Sequence, residues 1–378
     1  MIFPAARILF ALLTFVATLG IAVPVGAQIV TSQKQNFRAV VVTDSLEHPW
    51  SLAFLPDGRM LVTERPGRLR VIVDGRLQAA PISGVPEVFA KGQGGLLDVA
   101  PHPDYARNGW IYFSFAAASL RGGHTAVARA RLDGNRLVDL ETLFKANNLS
   151  SGGVHFGSRL AFGGDGKLYV TVGERGDSDR AQELDSHNGA TIRLNDDGTV
   201  PGDNPFLNTP GALPEIYSYG HRNPQGLARH PDNGDVWLNE HGPQGGDEVN
   251  IVRAGVNFGW PVITYGRSYA GFAIGEGAEK PGLAQPVLHW TPSIAPSGMA
   301  FYTGDRFPAW RGNLFVGSLK FRHLVRVELE GERVVSQERL LEDVFGRVRD
   351  VRQGPDGLLY ILTDENAGAL IRLEPVSN

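Results

Sequence analysis

The sequence predicts an all-β protein, a six-bladed β-propeller built from four-stranded antiparallel blades. Two observations predict this fold. One β-hairpin pattern recurs six times along the chain, and glycine and proline are abundant, with 47 and 24 residues, whereas long helical patterns are scarce. Six sheets arranged in a ring leave only short, protected strand edges. The alternative is two stacked β-sandwich domains with coincidental turns, although no linker divides the chain.

The first 27 residues have the pattern of a secretory signal peptide. Arg7 supplies a positive charge, residues 8–23 form an apolar run, and residues 25–27 form a small-residue cleavage site. This run is shorter than the ~20 residues that a membrane-spanning helix needs; an uncleaved membrane anchor is the alternative. We therefore expect residues 28–378 to form a single exported propeller domain, periplasmic or secreted, without stable membrane insertion.

Composition excludes several classes of function. The chain has no cysteine, so neither disulfides nor thiol chemistry can contribute. Its net charge of −4 provides no basic field for nucleic acid or for an anionic membrane surface.

Each of the six repeats has an apolar strand, a turn with an aspartate and a second alternating strand. The third copy, residues 160–172, shows the pattern well, with Gly-Asp-Gly in its turn. The six turn aspartates are Asp57, Asp104, Asp165, Asp232, Asp305 and Asp356. By subtraction they lie 47, 61, 67, 73 and 51 residues apart, which is the spacing expected for one blade with its loops.

Further segments complete the predicted ring. Residues 69–73 and 125–131 fit as additional strands, and the strand 37–43 is expected to close the ring beside the C-terminal strand 369–373. Residues 177–214 and 266–286 are long polar insertions, which we expect to be loops that wall a pocket on one face.

Polar stretches precede or follow the repeats at equivalent edges, so we expect their side chains to converge on one face of the propeller. Arg222, Arg347 and Arg349 offer planar guanidinium groups that suit carboxylates or phosphates. Further cationic or neutral donors are Lys320, Gln93 and Asn223. Together they predict a pocket for a polyanionic ligand, although any one arginine is better explained as a surface charge.

Two other stretches are candidates for chemistry. Residues 240–248 combine glycines, whose carbonyls can turn inward, with Asp247 and Glu248, and oxygen ligands of this kind suit Ca²⁺. The alternative is that the two carboxylates only cap turns. His155 stands in a glycine-rich approach to the third repeat, where a lone histidine is usually structural. An HExxH zinc motif and a GxSxG nucleophile elbow are absent from the sequence.

Six longer motifs occur in a specific order: GQGGLLDVAPHPDY, HFGSRLAF, GHRNPQGLA, NEHGPQGGDEVN, NFGWPVITYGRSY and GRVRDV. In these motifs the chain resembles the soluble quinoprotein sugar dehydrogenases, most closely the periplasmic aldose sugar dehydrogenases that use pyrroloquinoline quinone (PQQ). The resemblance extends over nearly all of residues 28–378.

The resemblance implies a six-bladed propeller in which PQQ, clamped by Ca²⁺, lies over the central channel. It implies an aldose substrate that is oxidised at C1 to a lactone, with His155 as the general base and PQQ as the hydride acceptor. Residues similar to PQQ contacts are Gln93, Arg222, Asn223, Tyr269, Lys320, Arg347 and Arg349. Residues similar to calcium ligands are Gly242 and Pro243 through their carbonyls, and, at a further site, Glu248 and the carbonyl of Phe258.

One position departs from the glucose-specific branch of that family. The residue before the catalytic histidine is acidic there, and here it is Val154. This favours the broader aldose branch over strict glucose specificity. The sequence names no electron acceptor, and two alternatives stay open: a Ca²⁺-dependent propeller hydrolase of sugar lactones, and a non-catalytic glycan-binding propeller.

Overall fold

The computed structural model describes residues 28–376, so the predicted signal peptide, residues 1–27, lies outside the described residues. The described part consists almost entirely of β-strands, with one short α-helix, α1 (Tyr105–Asn108), and 3₁₀ turns at Ser178–Gln182 and Pro308–Trp310. No helix within residues 28–376 has the length and apolar character that crossing a membrane requires.

Strands of the first three blades run through the first half of the chain, preceded by two strands that belong to the last blade. They are β1 (Gln28–Val30), β2 (Phe37–Leu46), β3 (Pro49–Phe54), β4 (Met60–Glu64), β5 (Arg68–Val73), β6 (Arg76–Leu77), β7 (Leu96–Pro101), β8 (Trp110–Ser119), β9 (Gly122–Asp133), β10 (Arg136–Lys145), β11 (Gly157–Phe162), β12 (Leu168–Val172), β13 (Ala190–Leu194) and β14 (Ile216–Ser218).

The second half of the chain forms the other three blades. Its strands are β15 (Pro224–Arg229), β16 (Val236–Glu240), β17 (Asp247–Ile251), β18 (Leu288–Trp290), β19 (Pro296–Phe301), β20 (Leu314–Ser318), β21 (His323–Glu330), β22 (Arg333–Leu340), β23 (Val348–Gln353), β24 (Leu359–Thr363) and β25 (Gly368–Pro375).

These strands form six antiparallel sheets, which confirms the predicted propeller. Five sheets have four strands in simple order, such as β3-β4-β5-β6 and β11-β12-β13-β14. All six predicted hairpins are present as the first two strands of their blades. The first strand of each blade packs against the first strand of the next, and β23 packs against β3 to complete the circle.

The ring is closed by strands from both ends of the chain, as predicted. β2 pairs antiparallel with β25, with Val40 opposite Arg372 and Ala39 opposite Leu373. β1 adds a fifth strand outside β2, so this sheet has the order β1-β2-β25-β24-β23. The N-terminal strands therefore hold the last blade to the first.

One sequence prediction was wrong in part. Residues 177–214 were expected to form a loop, yet the strand β13 lies within them and is buried along its whole length. It pairs with β12, for example Val170 opposite Ile192. The short alternating run Ala-Thr-Ile-Arg-Leu is flanked by polar residues, so its hydrophobic signal is weak, and burial between β12 and β14 decides its structure.

The centre of the ring is filled by buried charges. Arg159 donates to Asp350 at 2.9 Å and to Asp98 at 3.4 Å, and Arg352 donates to the same two carboxylates at 2.9 Å each. Arg159 also lies over the Trp50 ring, 4.0 Å from its centroid. This network links the first strands of blades one, two, three and six, and through Trp50 it adjoins a cavity at one end of the ring.

Candidate active site

A cavity lies at the end of the ring where the innermost strands begin. Every blade contributes to its lining at or next to the start of its first strand. These six residues are Trp50, Leu97, Gly157, Gln225, Ala295 and Arg349. The sequence predicted that equivalent edges of the repeats converge on one face. The lining agrees with this prediction, because repetition of the blade brings equivalent strand ends to one place.

His155 lies at the edge of this cavity, beside the lining residues Phe156 and Gly157. Its Nδ1 is 2.8 Å from a carboxylate oxygen of Glu174, and its backbone N–H donates to the side-chain oxygen of Gln93 at 2.8 Å. Nε2 makes no hydrogen bond within residues 28–376. Because the buried Glu174 carboxylate accepts a hydrogen bond from Nδ1–H, it selects the tautomer whose Nε2 carries the lone pair.

Basic side chains surround one carboxylate on the side of the cavity formed by blades one and six. Asp364 accepts from Arg349 at 2.7 Å, lies 3.5 Å from Arg65, and is bonded by Nδ1 of His48 at 2.9 Å. Burial alone would raise the pKa of Asp364, but Arg349 and Arg65 outweigh it and hold that pKa well below its usual range. Arg347, 3.9 Å from Asp364, completes the group.

Two buried hydrogen-bond donors in or beside the lining are not used by the described protein. Nδ2 of Asn223 and Nε of Arg349 are buried and have no partner within residues 28–376. The other groups of the Asn223 side chain are used, because its Oδ1 accepts from Gln225 at 3.1 Å and from the Gly157 N–H at 3.3 Å. Buried donors without partners are costly, and together with three arginines they fit a flat ligand with several carboxylates, as PQQ is.

A smaller cavity adjoins the first on the side of blade four. Its lining includes Arg222, Gly242, Glu248 and Phe258, four residues predicted to bind PQQ or calcium. His241 lines both cavities. Burial lowers the pKa of His241 to about 3, so this imidazole is neutral near pH 7.

The donor set of the smaller cavity consists of oxygen atoms. Arg222 donates to the carbonyl of Gly242 at 2.9 Å, which leaves the second lone pair of that oxygen available. Burial and the neighbouring Glu240 carboxylate raise the pKa of Glu248 well above its usual value. Within residues 28–376 no three histidine or carboxylate side chains gather into a metal cluster, so a cation here would depend on carbonyls together with Glu248. Such a donor set suits Ca²⁺.

Asp247 has a structural position rather than a ligand position. Its carboxylate accepts from the Gly242 N–H at 2.8 Å, from the Ser293 hydroxyl at 2.7 Å, and from the N–H groups of Ile294 and Ala295 at 2.7 and 2.8 Å. Of the two interpretations that the sequence left open, the geometry supports the turn-capping one for Asp247. The residue anchors the loop that carries Gly242.

Five residues predicted at the site lie outside the linings of both cavities. Two of them, His155 and Asn223, directly adjoin the lining residues Phe156 and Arg222 in the chain. Pro243 follows Gly242 in the same loop, and Lys320 is exposed beside the lining residue Leu319. The side chain of Tyr269 is 72% exposed, on a loop joined to residue 244 by a hydrogen bond of 3.4 Å to the Tyr269 carbonyl.

Sequence reasoning missed Glu174, Arg65 and Asp364. Each lies in the connection that follows the second strand of its blade, the same position as the predicted loop 240–248 in blade four. That equivalence was a signal that could have identified them. Asp364 and its partner His48 are 316 residues apart in the chain, so only ring closure brings them together.

A Ser–His–Glu chain is also present next to the smaller cavity. The Ser218 hydroxyl is 3.1 Å from Nε2 of His221, whose Nδ1 is 2.7 Å from Glu240. Ser218 and His221 are completely buried. Because no substrate can reach the hydroxyl, this chain does not favour a hydrolase. Glu240 instead accepts the N–H of Arg222 at 2.7 Å and so holds that residue in place.

Comparison with known proteins identifies the family. Residues 46–372 match the family model for glucose/sorbosone dehydrogenases. The aldose sugar dehydrogenase YliI of Escherichia coli is 48% identical over 341 residues, which cover 89% of this chain and 92% of the relative. These findings confirm the resemblance predicted from the six motifs.

Two solved structures are similar in fold. The apo form of the soluble aldose sugar dehydrogenase from Escherichia coli superimposes with a TM-score of 0.87 at 46% identity, and covers 90% of this chain and 100% of its own. The PQQ-bound aldose sugar dehydrogenase from Streptomyces coelicolor has a TM-score of 0.72 at 31% identity, and covers 88% and 96%.

Proposed function

The chain belongs to the glucose/sorbosone dehydrogenase family, and we propose that it is a PQQ- and Ca²⁺-dependent dehydrogenase that oxidises aldoses at C1 to lactones. One observation favours this function over a lactone hydrolase or a non-catalytic propeller. A histidine with a free Nε2 lies beside a cavity that is lined by three guanidinium groups, and a smaller cavity with the oxygens of Gly242 and Glu248 in its lining adjoins it. A lactone hydrolase needs no such cluster of arginines.

The residues present fit the proposed cofactors. Arg65, Arg347 and Arg349 would pair with the carboxylates of PQQ, and the free Nδ2 of Asn223 would donate to it. The carbonyl of Gly242 and neighbouring oxygens would hold Ca²⁺. When bound, PQQ supplies a quinone that accepts the hydride, and Ca²⁺ supplies a Lewis acid that polarises it.

His155 would act as the general base. Its Nε2 takes the proton of the anomeric hydroxyl while the C1 hydride leaves, so that C1–OH becomes the C1=O of the lactone. Positive charge then develops on the imidazole, and the buried Glu174 carboxylate at 2.8 Å stabilises it. Val154 before it is 40% exposed and apolar, and so offers the sugar no carboxylate contact; this supports a broad range of aldoses.

Reconstitution of the purified protein tests the proposal. Apoprotein is mixed with PQQ, Ca²⁺ and an artificial dye, and dye reduction is followed with several aldoses. We expect reduction that requires PQQ, Ca²⁺ and sugar together. Hydrolysis of sugar lactones by the apoprotein with Ca²⁺, without cofactor-dependent dye reduction, would instead support the hydrolase. Glycan binding without either reaction would support the non-catalytic propeller.

Export is the second part of the proposal. Residues 1–27 would be removed as a signal peptide during export to the periplasm or medium, and residues 28–378 would form the mature domain. N-terminal sequencing of the protein from an expressing bacterium tests this. A mature chain that begins near Gln28 supports export, and retention of Met1 in the cytoplasm would contradict it.

A further inference from the structure

The loop that carries the proposed base is held from behind by Arg175. This guanidinium donates to the carbonyls of Gly152 at 3.0 Å and Gly123 at 3.1 Å. It also donates to the carbonyl of Val154 and lies over the ring of Phe156, 3.6 Å from the centroid. The residues immediately before and after the base are therefore both fixed by one side chain.

Arg175 makes these contacts without a carboxylate partner within residues 28–376. The carboxylate of its neighbour Glu174 is engaged by His155 and by the Gly176 N–H instead. Arg175 is only 5% exposed, and burial lowers its pKa to about 10, so the guanidinium remains charged at neutral pH. A buried guanidinium without a carboxylate bonded to it is costly, and the carbonyls of this loop are the groups that compensate for its burial.

The loop needs such a contact because its own sequence cannot define its conformation. Residues 150–154 include two consecutive glycines, which are flexible. His155 itself has a φ of +50°, a left-handed conformation that a residue with a side chain adopts only when its surroundings impose it. Arg175 bonds the carbonyls of Gly152 and Val154 before this point and packs on the Phe156 ring after it, and so helps to impose this conformation.

We propose that Arg175 is a positioning residue for the reaction: it holds the backbone of the 150–154 loop so that His155 meets the sugar in one orientation. Glu174 holds the ring of the same histidine. Two consecutive residues therefore fix His155, Glu174 through the histidine side chain and Arg175 through the backbone beside it. This inference rests on the proposed function.

Substitution of Arg175 tests the role through the split between kcat and KM. In Arg175→Met, kcat at saturating sugar should fall at least about tenfold, because a slightly misplaced base loses reaction geometry. KM and the PQQ concentration for half-reconstitution should change by less than about threefold. Arg175→Lys should recover only part of the wild-type kcat, since an ammonium group cannot bond all the carbonyls that the planar guanidinium reaches.

Arg180→Met is the matched control, because Arg180 lies in the same connection between β12 and β13 but is 39% exposed and pairs with Glu183. It should keep the wild-type kcat. Methylguanidinium should restore part of the turnover of Arg175→Ala and none in His155→Ala. A wild-type kcat in Arg175→Met, or a loss confined to PQQ affinity, would overturn the positioning role.

Amide hydrogen exchange of the apoprotein gives a readout without turnover. Arg175→Met should accelerate exchange in the peptide 150–156 and leave the β16 peptide, residues 236–240, unchanged. Uniform acceleration would indicate a merely structural residue and would contradict the inference. Wild-type protein that is inactive with PQQ would overturn the proposed function itself, whereas active wild type with an equally active Arg175→Met would overturn only the positioning role.

Discussion

At the scale of single residues, the site is defined by how each ionisable group is paired. His155 has its Nδ1 bonded to a buried carboxylate and its Nε2 free, whereas the imidazole of His221 has both nitrogens engaged by buried neighbours. The two histidines have the same chemistry in isolation. Only the first can exchange a proton with a ligand in the cavity.

Replacing the proposed base should separate catalysis from cofactor binding. We expect His155→Ala to lower kcat by roughly 10²-fold or more, with the affinity for PQQ largely retained, because the predicted PQQ contacts are other side chains. Dye-reduction kinetics and PQQ titration measure the two effects. If the alanine variant were as active as the wild type, the base would have to lie elsewhere.

Asp364 should contribute to acid sensitivity. Its pKa in the folded protein lies below the ordinary value of about 3.9 because of Arg349 and Arg65. The ionised carboxylate stabilises the folded protein fully at pH values above the ordinary pKa. As the pH falls below the ordinary pKa, the unfolded chain binds the proton before the folded protein does, and this stabilisation is lost.

The free energy of unfolding, measured from pH 7 down to pH 2, should therefore fall less steeply in Asp364→Asn than in the wild type. Asp305→Asn, at an 89% exposed carboxylate, serves as the control and should follow the wild-type curve. Identical slopes for all three proteins would show that the cluster around Asp364 does not depress its pKa.

At the scale of elements, the loop between β16 and β17 shows how a short strand connection becomes a binding surface. Gly242 and Gly246 fit only because they lack side chains: a Cβ on either would lie 2.3 or 2.5 Å from neighbouring backbone. Asp247, at the start of β17, ties this loop to residues 293–295 of the next blade. The carbonyl of Gly242 is thus held by contacts between two blades.

Removing the charge of Asp247 should loosen this loop. In Asp247→Asn one carboxylate oxygen becomes an NH₂ group that faces N–H donors, so we expect a loss of about 1–3 kcal/mol in the free energy of unfolding. The Ca²⁺ concentration needed for reconstitution should rise in parallel. Urea unfolding and calcium titration measure these effects, and Asp232→Asn in an exposed turn is the control. If the Ca²⁺ concentration needed for reconstitution did not change, the contacts of Asp247 would not affect the cation site.

At the scale of the whole molecule, stability depends on closing the ring. β2 brings Phe37, which is completely buried, against Trp310 with ring centroids 5.4 Å apart. Ser32 and Gln33, just before β2, bond the Glu338 carboxylate of blade five at 3.2 and 2.6 Å. The N-terminal segment therefore joins blades that lie at the other end of the sequence.

Truncation distinguishes the two N-terminal strands. A chain that begins after Val30 loses only the outer strand β1 and should unfold close to the wild-type temperature. A chain that begins after Leu46 loses β2 as well, which leaves the edge of β25 unpaired and part of the core exposed. We expect it to unfold at a much lower temperature or to aggregate. Equal thermal unfolding of the two chains would show that ring closure contributes little.

The amino-acid sequence by itself determined the fold and which strand ends meet at the candidate site. Turn aspartates and alternating strands are local features, and their repetition specifies the blades. The loops at equivalent ends of those blades, which carry His155 and Arg349, then lie around one end of the ring. The weak strand β13 escaped prediction because burial between its neighbours, not its own pattern, makes it a strand.

Tertiary structure alone decided which groups pair. Glu174 with His155, Asp364 with Arg65 and His48, and Arg175 with the 150–154 loop are contacts between separate connections. Each side chain is given by the sequence, but the group it bonds depends on which loops the closed ring of blades brings into contact. For this reason the role of Asp247 as an anchor, which the sequence left open, followed only from the contacts it makes.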